Sequence, residues 1–182
     1  DISIKDDVME EVARMYGYDN FEATEFTTTF TDSINQKDKS LVRNIKEYLA
    51  IRCGMQEVYT YPWMNDVFVN AVLQSTDGVL KLSTPPAPDM SCIRSSLLPN
   101  LCEAVAKNER YFNDFSIFEE AQVFFDKNYT NAYDETESLP EQRRHIGAAF
   151  ASSVKDIGML FREAKGVLEY MPRYTHMEAY EF

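Results

Sequence analysis

The chain has 182 residues, of which 45% are hydrophobic, and 18 Lys and Arg against 30 Asp and Glu give it a formal charge of −12. This length suits one domain whose core removes roughly 70% of the unfolded surface from water, and twelve Phe with eleven Tyr exclude a disordered chain. The acidic balance excludes a general nucleic-acid surface, because phosphate binding depends on clustered Lys and Arg.

The first third of the chain predicts two helices joined by an extended segment. Apolar residues recur at helical spacing over residues 6–16, where Asp6 is the predicted cap and Gly17 the left-handed end. Residues 22–31 are rich in Thr and Phe and favour an extended connection. The same helical spacing predicts a second helix that begins at position 33 or 35 and ends at Cys53.

The middle of the chain predicts short elements separated by turns. Residues 55–64 are aromatic and β-branched, which favours a strand. Asn65 is the candidate cap of a helix over residues 66–73, and a strand over 79–82 follows. The sequence TPPAP at 84–88 continues neither element, because proline lacks an amide hydrogen.

The last third predicts two strands and a helix. The strands lie at residues 115–125 and 143–152, and the acidic segment 126–141 between them is predicted to be a solvated loop. A helix over residues 156–171 follows, and Pro172 is its predicted end.

These elements predict one α+β domain over residues 1–182, with a mainly antiparallel sheet flanked by helices. An odd number of cysteines on apolar stretches favours buried thiols in a reducing, cytoplasmic compartment. No apolar run reaches the ~20 residues that span a bilayer, so we expect a soluble protein without membrane contact.

Four carboxylates lie within the first eleven residues, at Asp1, Asp7, Glu10 and Glu11. On a helix, the last three share a face and can converge on one hard cation. The alternative is that acids at a helix start are stabilised by the helix dipole, each by about 0.3 to 1 kcal/mol. The spacing alone leaves both interpretations open.

Other chemistry finds little support in the sequence. His145 and His176 are too few for a multi-histidine metal centre, no Cys-x-x-Cys pair occurs, and both glycine-rich phosphate-binding motifs are missing. The aromatic residues Tyr59, Tyr61 and Trp63 suit stacking on a ligand, but packing in a core or an interface is the favoured interpretation.

Three stretches together resemble the β subunit of phenylalanyl-tRNA synthetase. Residues 1–20 look like its D-x5-D-x2-E-E segment followed by R-x-Y-G-Y, residues 93–108 are similar to its R-[ST]-S-L-L-P block with F-E downstream, and residues 161–167 resemble its K-G helix. The motif positions are Arg94, Ser96, Leu97, Leu98, Pro99, Phe118, Glu119, Lys165 and Gly166.

The resemblance implies the fold of a class II aminoacyl-tRNA synthetase catalytic domain and a role in support of the catalytic α subunit. That enzyme is an ATP-dependent ligase that attaches phenylalanine to tRNA for protein biosynthesis. The resemblance also implies magnesium, shared with the α subunit and bound by Asp1, Asp7, Glu10 and Glu11. We expect tRNA to be contacted through the complete assembly, and ATP, the nucleotide of the parent enzyme, not to bind this chain.

We expect no catalytic residue in this chain, which alone is predicted to be inactive. Active class II enzymes hold the ATP phosphates with an arginine on a strand, since a guanidinium stabilises charge there. The corresponding strand here ends in a sequence that places Phe125 at this position. An arginine from another part of the chain next to Phe125 would instead favour an active enzyme.

We expect the domain to form a subunit interface. In class II enzymes, motif one builds such an interface, and this sequence resembles it after Gly54. The predicted interface residues are Gly54, Val58, Tyr59, Tyr61, Pro62 and Trp63. The expected partner is the α subunit, and a second copy of this chain is the other candidate.

Two alternatives to the support role stay open. The first is a stand-alone binding protein derived from the β chain, with a pocket for an amino acid or a protein partner. The second is an active ligase with a divergent ATP site. The chain departs from the family in having Asn100 in place of a glycine. We also expect the family's other modules, and the end of the catalytic-like domain, to lie outside this chain, which is then an excised domain or a shortened relative.

Overall fold

The computed structural model describes residues 2–31, 34, 36–73, 75–130 and 138–176. They belong to two compact units, Asp1–Asn35 and Gln36–Phe182. Among the described residues, no helix is both long and apolar enough to cross a membrane. The single domain over residues 1–182 stays a prediction.

The first unit contains helix α1, Lys5–Tyr16, and a 3₁₀ turn, Tyr18–Asn20. The predicted helix is confirmed, and Gly17 ends it at a φ of 92°, which favours glycine. The predicted Asp6 cap is wrong because the helix begins one residue earlier, which puts Asp6 inside its first turn. Residues 22–31 form neither helix nor strand, as the extended connection predicts.

The second unit begins with helix α2, Lys37–Glu47, which continues into a π-helical turn, Tyr48–Arg52. The Cys53 amide donates to the Tyr48 carbonyl at 3.1 Å, five residues back. The predicted helix is therefore confirmed from Lys37, and its predicted starts at positions 33 and 35 lie outside the described residues.

The remaining helices and strands follow in chain order. They are β1 Gln56–Glu57, β2 Trp63–Met64, α3 Asp66–Val72, β3 Cys92–Ile93, α4 Leu98–Asn108, β4 Asp114–Thr130, β5 Ser138–Ser152 and α5 Ile157–Thr175. One sheet has the order β1-β4-β5, in which β4 and β5 are antiparallel and β1 is parallel to β4. Strands β2 and β3 form a separate antiparallel pair.

Three predicted boundaries in this unit need correction. The predicted loop over 126–141 is wrong at both ends, because β4 and β5 extend into it from either side of residues 131–137, which lie outside the described residues. Strand pairing uses backbone groups and tolerates acidic side chains that face water. The predicted strand over 55–64 splits into β1 and β2, and the strand over 79–82 is reduced to one bridge between Lys81 and Cys92.

The predicted end of the last helix at Pro172 is also wrong, since α5 continues to Thr175. An interior proline costs roughly 3 kcal/mol because it removes a helical hydrogen bond. Packing offsets this cost: Pro172 and Thr175 are buried, and the ring of Tyr174 lies 5.2 Å from that of Tyr48.

Helices cover both faces of the three-stranded sheet. Phe118 of β4 packs against α2, the π-helical turn and α5, whereas its neighbour Ile117 packs against α4. Consecutive strand residues point to opposite faces, so this alternation separates two core clusters. Helix α4 approaches β5 so closely that a Cβ at Gly147 would lie 2.8 Å from Leu101 Cδ1.

The three cysteines are free thiols, but only one of the predicted buried thiols is fully buried. Cys92 is buried, and Cys53 and Cys102 are half-buried. Cys92 belongs to a third, smaller core cluster, which joins the β2–β3 pair to α3 through Met64 and Val69. Asn65 caps α3 as predicted, because its side chain accepts the Val67 amide at 2.9 Å.

Candidate subunit interface

A buried ion pair lies beneath the predicted interface. Arg94 Nη1 donates to Glu119 Oε1 at 3.1 Å, and the two residues are only 7% and 2% exposed. The Arg94 Nε also donates to the Gln122 carbonyl at 2.7 Å. The two motif residues therefore join the loop before α4 to strand β4, which gives them a structural role.

The ion pair also holds the segment between β1 and β2. Glu119 accepts the Thr60 amide at 3.0 Å through Oε1 and the Thr60 hydroxyl at 2.7 Å through Oε2. The Arg94 amide donates to the Pro62 carbonyl at 2.7 Å. These bonds draw the chain away from the sheet after Val58, which explains why the predicted strand is split.

Asn100 binds the same segment from the other side. This residue lies in the first turn of α4 and is 4% exposed. Its Nδ2 donates to the carbonyls of Tyr61 at 3.1 Å and Trp63 at 3.0 Å. Its buried Oδ1 has no hydrogen-bond partner in the part of the chain that the structure describes. Sequence reasoning noted this departure from glycine but did not assign it a role.

The anchored segment presents an aromatic ridge, defined as Tyr59, Tyr61 and Trp63. Tyr59 and Tyr61 are 79% and 70% exposed, and the ring of Tyr61 stacks on that of Trp63 at 4.5 Å and 9°. Lys46 lies 5.6 Å from the Tyr59 ring centroid. A cavity of about 310 Å³ separates the ridge from α4. Exposed apolar surface of this kind marks sites of protein association.

Lys46, which lies beside Tyr59 of the ridge, forms ion pairs with two carboxylates. Its Nζ lies 2.6 Å from Glu57 Oε1 and 3.2 Å from Glu120 Oε2. Burial lowers the pKa of Lys46, but the hydrogen bonds and charges of Glu57 and Glu120 outweigh it and leave this pKa above its ordinary value. Arg144 joins the network through Glu120 at 3.0 Å.

The structure brings together only part of the predicted interface. Tyr59, Tyr61, Pro62 and Trp63 share the anchored segment, whereas Gly54 ends the π-helical turn at a φ of 66°. The half-buried Val58 packs with the α4 core cluster. The six-residue interface therefore stays a prediction, in which the ridge is the exposed part.

The other motif residues mostly support the fold. The Ser96 hydroxyl accepts the Leu98 amide at 3.2 Å and so binds the first residue of α4. Leu97, Pro99 and Phe118 are buried in the core, and Leu98 is half-exposed. Lys165 lies 3.5 Å from Glu169 on the surface of α5, and Gly166 lines a larger cavity.

An arginine does lie beside Phe125. The guanidinium of Arg143, on the neighbouring strand, is 5.3 Å from the Phe125 ring centroid, and the His145 ring is 6.3 Å away. Arg143 is already paired, because its Nη2 lies 2.6 Å from Glu141 Oε1. Sequence reasoning assigned Arg143 no role next to Phe125, because this stacking depends on the pairing of β4 with β5.

The three described acids of the predicted magnesium site do not fit a metal ion in this arrangement. Asp7 accepts the amides of Ser3 at 2.6 Å and Ile4 at 2.9 Å, and these bonds lower its pKa. Glu11 pairs with Arg14. Within the described ranges, no three His, Cys, Asp or Glu side chains are placed to hold a metal. Asp1 lies outside those ranges, so the four-acid set stays a prediction.

Residues 22–182 match a family model described as "Phenylalanyl tRNA synthetase beta chain CLM domain". The phenylalanine–tRNA ligase β subunit of Carboxydothermus hydrogenoformans is 35% identical over 156 residues, which are 81% of this chain and 18% of that protein. The same subunit of Clostridium acetobutylicum is 30% identical over 177 residues, 93% of this chain and 20% of that protein. The chain thus spans about a fifth of these relatives.

Solved structures of class II aminoacyl-tRNA synthetases have the same fold. A pyrrolysyl-tRNA synthetase from Desulfitobacterium hafniense matches with a TM-score of 0.56 at 12% identity, over 80% of this chain and 47% of that one. The Giardia lamblia prolyl-tRNA synthetase with prolyl-adenylate matches at 0.52 and 10% identity, over 74% and 28%. These similarities confirm the predicted fold class.

Proposed function

The chain belongs to the phenylalanyl-tRNA synthetase β-chain family, and we propose that it is a non-catalytic support domain of a phenylalanine–tRNA ligase that binds the α subunit through the aromatic ridge. The observation that carries this proposal is the exposure of Tyr59 and Tyr61 on a segment that the core holds in place. Tyr and Trp are the residues that most often dominate interfaces.

The anchoring favours affinity as well as position. A preformed surface loses less conformational entropy on association than a mobile one. The bonds from Glu119 and Asn100 to this segment are made within this chain and need no partner. Truncating an interface hot spot costs about 2 kcal/mol or more, which is a loss of roughly thirtyfold in affinity.

Arg94 and Arg143 each form an ion pair with a carboxylate of this chain, which supports the non-catalytic part of the proposal. Arg94 is buried against Glu119, and Arg143, beside Phe125, is paired with Glu141. An arginine that holds phosphates must offer its donors to the nucleotide. We therefore propose that ATP, with any magnesium, and tRNA are handled by the complete assembly, in the cytoplasm.

Co-expression of the 182-residue chain with the α subunit tests the proposal. We expect a complex on size-exclusion chromatography, and we expect Tyr59→Ala and Tyr61→Ala each to weaken it by tenfold or more. Tyr111→Ala is the matched control, because Tyr111 is 67% exposed but lies outside the ridge. Equal affinity of all three variants would refute the ridge as the interface. Self-association of the chain, without the α subunit, would favour a homodimer instead.

A second candidate function is the stand-alone binding protein. The observation that favours it is a large cavity of about 1040 Å³ that the ridge residues do not line. A chain that binds a small molecule but forms no complex with the α subunit would support this alternative.

A further inference from the structure

We infer that this larger cavity is a binding site for a small organic anion with an aromatic or apolar body. The cavity lies between the π-helical turn, the start of β4, the end of β5 and α5, all in the unit Gln36–Phe182. Tyr59, Tyr61 and Trp63 do not line it. Gly54 and Val58 of the predicted six-residue interface do line it, so the inference is independent of the aromatic ridge but not of that whole segment.

The charge of the lining points to an anion. The chain as a whole has 18 basic and 30 acidic residues, but the cavity has three basic and two acidic side chains. Lys155 Nζ bridges both acids, at 2.9 Å from Asp114 Oδ2 and 3.0 Å from Glu163 Oε1. Arg52 and Arg173 have no carboxylate within ion-pair distance among the described residues. These two guanidiniums are therefore the groups available to an anionic head.

The apolar part of the lining points to an aromatic or apolar body. Aromatic residues are 13% of the chain but make up six of the twenty lining residues. They are Tyr48, Phe112, Phe115, Phe150, Tyr170 and Tyr174. Ligand sites typically combine such a lining with a few polar groups that orient the ligand.

One wall of the cavity is already ordered. The Tyr48 hydroxyl donates to the Val167 carbonyl at 2.8 Å, which ties the π-helical turn to α5. The Arg52 guanidinium lies 5.5 Å from the Tyr174 ring centroid, a cation–π distance. The extra residue of a π-helical turn rotates the residues after it by about 100° relative to a regular helix, and such turns occur often at functional sites. Arg52 is the last residue of this turn and lines the cavity.

Carboxylates and phosphates share the chemistry that two arginines recognise. Isothermal titration of the 182-residue chain with 3-phenylpropionate and phenyl phosphate distinguishes the two sources. Phenethylamine replaces the anion by a cation, and inorganic phosphate removes the aromatic body. We expect at least one of the first two probes to bind, and we expect phenethylamine and inorganic phosphate to bind at least tenfold more weakly.

Substitutions locate the site. We expect Arg52→Gln and Arg173→Gln each to weaken binding by tenfold or more, because each substitution removes a charge-assisted hydrogen bond to the anion. Arg52→Lys is the conservative variant, because it keeps the positive charge. The far-ultraviolet circular dichroism of every variant shows whether it is folded. Arg162→Gln is the matched control, since Arg162 is exposed on α5 but does not line the cavity.

Several results would overturn the inference. The first is that neither 3-phenylpropionate nor phenyl phosphate binds. The second is that phenethylamine binds as tightly as the anions, or inorganic phosphate as tightly as phenyl phosphate. The third is that folded Arg52→Gln and Arg173→Gln variants bind as tightly as the parent chain. The Tyr59→Ala and Tyr61→Ala variants test α-subunit binding and should bind the small molecules as the parent chain does. Failure of the ridge proposal can therefore be distinguished from failure of the cavity proposal.

Discussion

Replacing Arg94 by methionine should lower the free energy of unfolding by more than a typical surface substitution does. Arg94→Met keeps the apolar stem but removes the bonds to Glu119 at 3.1 Å and to the Gln122 carbonyl at 2.7 Å. It leaves the Glu119 carboxylate, which is 2% exposed, without its counter-charge. Breaking a buried pair in this way costs about 3 to 5 kcal/mol of unfolding free energy.

Urea denaturation measures this loss, and the sole tryptophan, Trp63, reports on the segment that the pair anchors. Adding Glu119→Gln to Arg94→Met removes the second charge and retains an acceptor for Thr60. The double variant should therefore lose less than the sum of the two single variants, by about 1 to 3 kcal/mol. A loss below about 1 kcal/mol for Arg94→Met would match an exposed ion pair and refute the reasoning.

Three further predictions follow from single contacts. Asn100→Ala should cost about 2 kcal/mol and shift the tryptophan emission, because two part-buried carbonyls lose their donor. Asn108→Ala removes only a bond within α4 and should leave the emission unchanged. Gly147→Val should lower the stability measured in urea by about 1 to 3 kcal/mol, since its Cβ would clash with α4, and an unchanged midpoint would contradict the close packing. The hydrogen bond from Lys155 lowers the pKa of Asp114 below 3.8, so its stabilisation is present above that pH and is lost as the pH falls through the folded-state pKa. Asp114→Asn should therefore be less stable than the parent chain at pH 7, and this difference should shrink below pH 3.8 in urea titrations.

Local signals predicted the helices well. Asn65 and Gly17 lie where a cap and a left-handed end are expected, because these features depend on a few neighbouring residues. Asp6 and Pro172 are exceptions: α1 begins before Asp6, and packing of Tyr174 against Tyr48 offsets the local cost of Pro172. A proline therefore predicts a helix end only where no tertiary packing opposes it.

Pairing across the chain was less predictable. The motifs marked Arg94 and Glu119, but their ion pair joins residues 25 positions apart and has no local signature. The same holds for Arg143 beside Phe125, which requires the register of β4 and β5. The role of Asn100 also depends on a turn that lies 37 to 39 residues earlier.

The exchange of pyrophosphate into ATP by the 182-residue chain alone, with phenylalanine and magnesium present, tests the support role most directly. Because the sequence predicts Phe125 at the position of the phosphate-binding arginine and Arg143 is paired with Glu141, we predict no exchange above background. Formation of an aminoacyl-adenylate by this chain, abolished by Arg143→Gln, would contradict that role and identify Arg143 as a nucleotide-binding residue.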